Sequence, residues 1–175
     1  MNKNYSEWHK LFPGSGQGKH YPWLLEQFCT YAYPRALDYG AGKGGTIHWL
    51  ESLTSSDITG YDPGYPAYQD KSVLDAQYDV VYACDCFEHI EREDIDAVID
   101  ECQSLAPVNL YIIDLTPAKK RLPDGRNAHI LLLDRHQWVE LIEQHEHSIE
   151  FIMQYSEPDP NYGKRHRLCI RTRRS

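Results

Sequence analysis

The stretch Tyr78-Asp79-Val80-Val81-Tyr82-Ala83-Cys84, an almost unbroken apolar run of strand length, narrows the choice of fold more than any other part of the chain. A strand that is apolar at nearly every position is covered on both faces, which is the condition of a central strand in a parallel sheet. After it, Ile95, Val98, Ile99, Cys102 and Leu105 recur at i, i+3, i+4, i+7 and i+10, forming one stripe of a helix that can lie on such a sheet. The same alternation runs along the chain. A helix is expected from about Pro22 to Tyr31, with Pro22 in its first turn and Leu24, Leu25 and Phe28 on one face. Arg35 to Asp38 reads as a strand, Thr46 to Leu53 as a helix, and Ile58 to Tyr61 as a strand stopped by Asp62-Pro63-Gly64. Pro66 to Gln77 shows no clear periodicity. Leu110 to Leu115 reads as a buried strand, Trp138, Leu141 and Ile142 mark a helix, and Ile149 to Tyr155 pairs with Arg167 to Thr172 as a hairpin across the turn-rich Glu157 to Gly163. The expected fold is α/β: a doubly wound, mostly parallel sheet with helices on both faces and a C-terminal antiparallel hairpin.

A chain of 175 residues suits one core, so a single domain is expected over residues 1–175, with 1–20 as an N-terminal lid-like segment. Its 18 Lys and Arg against 26 Asp and Glu give a formal charge of −8, which opposes general affinity for duplex nucleic acid or an anionic membrane and favours a small or neutral partner. No run approaches the roughly 18 apolar residues of a membrane span, and the polar start has no signal-peptide core, so a cytoplasmic location is expected. Four of the five cysteines fall inside apolar runs and read as reduced packing thiols; Cys84-x-Cys86 is too tight for a zinc knuckle, and no metal is expected.

The chemistry concentrates in Asp38-Tyr39-Gly40-Ala41-Gly42-Lys43-Gly44-Gly45, between a strand and a helix. Glycines allow a sharp turn and let a ligand touch backbone, while N–H groups at a helix start favour a carboxylate or phosphate. A phosphate-binding P-loop requires Ser or Thr directly after Gly-Lys, and Gly44 stands there instead. The run Gly40-x-Gly42-x-x-Gly45 does fit a dinucleotide site, with Asp62 placed as a ribose-binding acid. Against that reading, Asp38 would face a pyrophosphate with a negative charge, whereas S-adenosyl-L-methionine (SAM) presents an ammonium group that an acid attracts.

Asp38-x-Gly40-x-Gly42-x-Gly44, then Gly60-Tyr61-Asp62-Pro63, then Tyr78-Asp79-Val80-Val81 leading to Asp85-Cys86-Phe87-Glu88-His89-Ile90, resembles the motif series of class I SAM-dependent methyltransferases of Rossmann-like fold, over about residues 33–172. The resemblance implies that Gly40, Gly42 and Gly44 surround the methionine part of SAM, that Asp62, followed by Pro63, bonds the ribose hydroxyls, and that Asp38 and the backbone near Asp85 hold the amino group. Pro66 to Gln77 is shorter than this family usually needs for its third strand and helix. Asp85-Cys86-Phe87-Glu88 lacks the Asn-Pro-Pro-Tyr signature of enzymes that methylate exocyclic amines of bases. The Glu88-His89-Ile90 ending is similar to small-molecule methyltransferases and to many uncharacterised ones, and Pro117 to Lys120 with Leu122 to His129 resembles a segment of small uncharacterised bacterial and phage methyltransferases.

The loop Leu122 to His129 follows the strand ending near Leu115 and so overhangs the same site. Arg126, Asn127 and Glu88 are candidates for binding the acceptor, and His89 or His129 for removing its proton. His9 and His20 lie on the lid-like segment. His145-x-His147 reads as a helix end meeting its dipole. Lys164-Arg165-His166-Arg167 and Arg171-x-Arg173-Arg174 read as a solvated strand and tail. The function expected is methyl transfer from SAM to an O, N or carboxylate nucleophile of a small acceptor; a SAM-binding module without turnover and a nicotinamide oxidoreductase are the alternatives.

Overall fold

The computed structural model describes residues 19–174, so the lid-like segment expected over residues 1–20 lies almost wholly outside the described residues. The elements are α1 (Pro22–Tyr31), β1 (Arg35–Tyr39), α2 (Gly45–Glu51), β2 (Asp57–Tyr61), β3 (Val80–Cys84), α3 (Ile95–Leu105), β4 (Val108–Asp114), α4 (Arg135–Ile142), β5 (Ser148–Asp159) and β6 (Gly163–Arg173). They build one six-stranded sheet in the order β2-β1-β3-β4-β6-β5. β1 to β4 run parallel, and β6 enters antiparallel between β4 and β5. The expected doubly wound sheet with a C-terminal antiparallel hairpin is the fold observed.

The period-two geometry of strands sends neighbouring residues to opposite faces, and both faces are covered. Leu37, Val81, Tyr111, Ile113, Leu168 and Ile170 join Ile95, Ile99 and Cys102 of α3 and Trp138 of α4 in one cluster. Ala36, Val80, Tyr82, Leu110, Ile112 and Cys169 join Leu24 and Phe28 of α1 and Ile47 and Leu50 of α2 in the other. Fully burying such side chains stabilises the fold by roughly 1.5 to 3 kcal/mol each. Pro22 fits the first turn of α1, where its missing N–H costs nothing, and Asp134 with Gln137 forms a capping box that starts α4. Among the described residues no helix is long and apolar enough to cross a membrane.

Between β2 and β3 the chain makes only the short 3-10 turns Pro66–Tyr68 and Lys71–Asp75, which accounts for the missing periodicity there. The late hairpin is longer than the sequence suggests. Its strands reach Asp159 and restart at Gly163, because Asp159 Oδ1 accepts from the N–H groups of Asn161 and Tyr162 and so closes a tight turn.

β1 pairs with β2 on one side and β3 on the other, so the direction of winding reverses at β1. Ligands of open α/β sheets bind beyond the carboxyl ends at such a switch point. β6 is antiparallel to β4, with Asp114 opposite Arg167, so its early residues reach the same end of the sheet.

Candidate active site

The turn leaving β1 carries Gly40, Gly42 and Gly44 at φ of 86°, 55° and 77°, the left-handed region that favours glycine. A methyl group at Gly40 would press on Cys86, whose Cβ lies 2.9 Å from where it would stand. At Gly44 it would meet the Tyr68 ring, with Cζ at 2.8 Å. The loop is therefore glycine by backbone conformation and by close packing together.

Asp62, just after β2, is buried, and its carboxylate is clamped: Gly42 N–H donates to Oδ2 and Gly64 N–H to Oδ1, each at 2.8 Å. Each oxygen keeps a further lone pair for a hydroxyl donor. Asp38 is buried at the end of β1 with no cationic side chain of the described residues against it. Burial pushes its carboxyl up to about 8, partly opposed by the Tyr82 hydroxyl and reinforced by Asp62. An ammonium group placed there would relieve that cost. The acid next to a glycine cradle and the fixed acid across from it fit the amino group and the ribose of SAM.

The other half of the site is a dense set of charges beyond β3, β4 and β6. Asp85 holds φ of 48°, rare for a residue with a side chain, and its carboxylate meets Lys19 and Arg167. Those cations hold its carboxyl well below the usual range despite burial. Asp114 meets Arg165, with Arg167 at 3.6 Å, and Arg167 also bonds Glu157 at 2.8 Å. Arg167 is only 1% exposed, so the centre of this network is buried while Lys19 and Glu157 close it at the surface. Glu88, in the 3-10 turn Phe87–His89, is fully buried and accepts from Asp114 N–H at 3.2 Å through Oε1. Burial and the nearby Asp85 raise its carboxyl well above the ordinary value.

His89 and His129, 40 residues apart in sequence, meet edge to face with ring centroids 4.8 Å apart. His89 Nδ1 lies 2.7 Å from the Ala128 carbonyl and His129 Nδ1 lies 2.6 Å from the Thr116 carbonyl. A carbonyl only accepts, so both Nδ1 atoms carry the proton and both Nε2 atoms present a lone pair. Burial lowers each imidazole to about 4, so both are neutral at neutral pH.

The loop before His129 is shaped by the residues proposed from sequence as acceptor contacts. Arg126 pairs with both oxygens of Glu91 at 2.9 and 3.0 Å and with Asp124 at 2.9 Å. Asn127 takes N–H donors from Ala118 and His129 on Oδ1 and donates to the Ala118 carbonyl. These bonds tie the loop to itself and to Glu91, and it is His129 that the loop delivers to the cluster. Among the described part of the expected lid, His20 stacks on Trp49 with centroids 4.8 Å apart.

Two sequence readings need correction. The basic segment of β6 is solvated only in part: Lys164, His166, Arg173 and Arg174 are exposed, but Arg167 and Arg171 are buried, because Asp85 just beyond β3 and Glu157 and Glu150 of β5 stand against them. His145 does not serve the end of its own helix; its Nδ1 lies 2.7 Å from Asp100 on α3. The sequence reading also gave no place in the site to Asp114, Lys19 and Tyr68, nor to Arg165 and Arg167, which it assigned to the solvated strand. An acid inside the apolar run Leu110 to Leu115, and arginines two apart on one strand face, were the available signals.

The methyltransferase domain family profile matches residues 7–154. The chain belongs to that family. The cofactor of this methyltransferase domain is SAM, as expected. The fold is similar to that of the 1,6-didemethyltoxoflavin-N1-methyltransferase of Burkholderia thailandensis, solved with 1,6-didemethyltoxoflavin and S-adenosylhomocysteine, at 14% identity and a TM-score of 0.67 over 98% of this chain and 84% of that one. It is also similar to magnesium protoporphyrin IX methyltransferase from Synechocystis PCC 6803, solved with SAM, at 13% identity and a TM-score of 0.64 over 100% and 99% of the two chains. At these identities the likeness is one of fold. No curated protein matches the sequence.

Proposed function

We propose that this methyltransferase domain moves the SAM methyl group to an O, N or carboxylate nucleophile of a small acceptor, acting as one domain in the cytoplasm. The observation that carries the reading is the juxtaposition of two differently built halves at one switch point. One is a glycine cradle with Asp38 and a clamped Asp62. The other is a wall of Glu88, His89 and His129 beyond the adjoining strands. In the proposed roles Gly40, Gly42 and Gly44 admit the methionine part, Asp38 and the backbone near Asp85 take the amino group, and Asp62, held ahead of Pro63, takes the ribose. SAM supplies a methyl group already activated by its sulfonium, so the protein has chiefly to align the partners, a service worth up to about 7 to 11 kcal/mol. His89 and His129 face the acceptor with neutral rings, either able to receive a proton. Arg126 and Asn127 support acceptor binding by fixing the loop that carries His129. The net charge of −8 and the inward-facing arginines of β6 support a small acceptor over duplex nucleic acid.

The test is transfer of an isotopically labelled methyl group from SAM to metabolite extracts, read by mass spectrometry. A new labelled small molecule that depends on the protein supports the reading. Tight SAM binding with no labelled product in any extract would point to a binding module, and label recovered on added duplex DNA would overturn the small-acceptor assignment.

A further inference from the structure

Glu88, His89 and His129 bring one ligand-capable atom each within 4.8 Å of one another. Two bonds of about 2.1 Å span at most about 4.2 Å across an ion, so closing the three side chains onto one cation takes a shift of less than about 1 Å. Three independent features point the cluster toward a cation. First, both imidazoles are anchored through Nδ1–H to backbone carbonyls, those of Ala128 and Thr116, which fixes the tautomer that turns Nε2 into the donor. Metal-ligating histidines are held in this way. Second, Glu88 Oε2 is fully buried with no hydrogen-bond partner, while Oε1 is held by the Asp114 N–H. A buried carboxylate oxygen left unsatisfied costs free energy that a cation would recover. Third, the neighbouring acids are already matched, Asp85 by Lys19 and Arg167 and Asp114 by Arg165, whereas no ion pair among the described residues reaches Glu88.

We propose that Glu88, His89 and His129 form a site for one divalent first-row transition-metal ion, whose remaining positions receive an oxygen of the acceptor. Two nitrogens and one carboxylate suit manganese, iron, cobalt or zinc better than magnesium or calcium, which take oxygen ligands. Three protein ligands leave open positions on the ion. With the ion bound, Nε2 of each histidine is occupied, so a hydroxyl on the ion gives its proton to water, more readily than a free one would, and not to His89 or His129. The role toward the acceptor rests on the methyl-transfer reading; the cation site itself does not.

The test uses the untagged full-length chain, stripped with chelator and titrated with Co2+ by calorimetry and by its visible spectrum, with SAM binding measured in parallel. The expected result is saturation at one Co2+ per chain with a nitrogen-ligand spectral shift. His129→Ala and the near-isosteric Glu88→Gln should each weaken Co2+ at least tenfold while SAM affinity stays within about threefold, which also certifies the fold. Absence of saturable binding to the parent chain, or binding unchanged in both variants, would overturn the site. Co2+ binding without SAM binding would leave the site standing and sink the methyl-transfer reading; SAM binding without Co2+ binding would do the reverse.

Discussion

A single buried acid decides how the site should respond to pH. Asp38 keeps its proton in the free protein up to about pH 8, since burial disfavours the charged form. An ammonium bound beside it stabilises the carboxylate, so binding below pH 8 must expel a proton. SAM affinity should therefore rise with pH from 6 to about 8 and then level, and calorimetry in buffers of different ionisation enthalpy should show close to one proton released at pH 6.5. The stability of the free protein has the opposite slope. Its folded pKa lies above the ordinary carboxyl value, so the contribution is fully present below about pH 4 and lost as pH rises through the window to about 8. Asp38→Asn should remove both dependences. Asp38, Asp62 and the glycines were legible in the sequence because their work is local: a turn needs positive φ, and an acid at a strand end is displayed by its position. Asp114 and Arg167 were not, since their partners come from other parts of the sheet: Asp114 meets Arg165 of β6, and Arg167 meets Asp85 beyond β3.

At the level of elements, β6 is the piece the sequence misrepresented most. Its Arg165 and Arg167 look like surface charges until the antiparallel register sets Arg167 opposite Asp114 and brings it to Asp85. Period and composition cannot show which strand will lie beside another, so a buried ion network built across strands stays hidden. Removing Arg167 leaves the buried Asp114 and the largely buried Asp85 with one cation fewer, a loss of up to roughly 3 to 5 kcal/mol. Arg167→Met should lower the unfolding free energy obtained from urea titration by an amount in that range, and a change below about 1 kcal/mol would mean that the network carries little stability. The helices were read well because each shows an apolar face: the residues picked in α4 are all buried, and in α1 and α3 Leu24, Phe28, Ile95, Ile99, Cys102 and Leu105 are buried, while Leu25 and Val98 are only partly covered and the buried Trp23 and Gln103 were not picked. The segment between β2 and β3 had no period to read because its short 3-10 turns impose none.

For the whole molecule, the order of the strands places every candidate group at one end of one sheet. The glycine turn follows β1, Asp62 follows β2, Asp85 to His89 follow β3, the loop to His129 follows β4, and β6 returns its arginines to the same end. That convergence was legible in outline, since alternating strands and helices fix which ends of the strands carry the loops. The meeting of His89 with His129 was not, because it depends on the path of a loop that Arg126 and Asn127 hold together. The central claim is that the cradle between β1 and β2 binds SAM, and calorimetry of SAM and S-adenosylhomocysteine with Asp62→Ala tests it most directly. Losing two hydrogen bonds to a charged acceptor costs roughly 2 to 4 kcal/mol, so affinity should fall by about 30-fold to nearly 1,000-fold with the fold intact by circular dichroism. Unchanged SAM affinity in the folded Asp62→Ala variant would contradict the assignment.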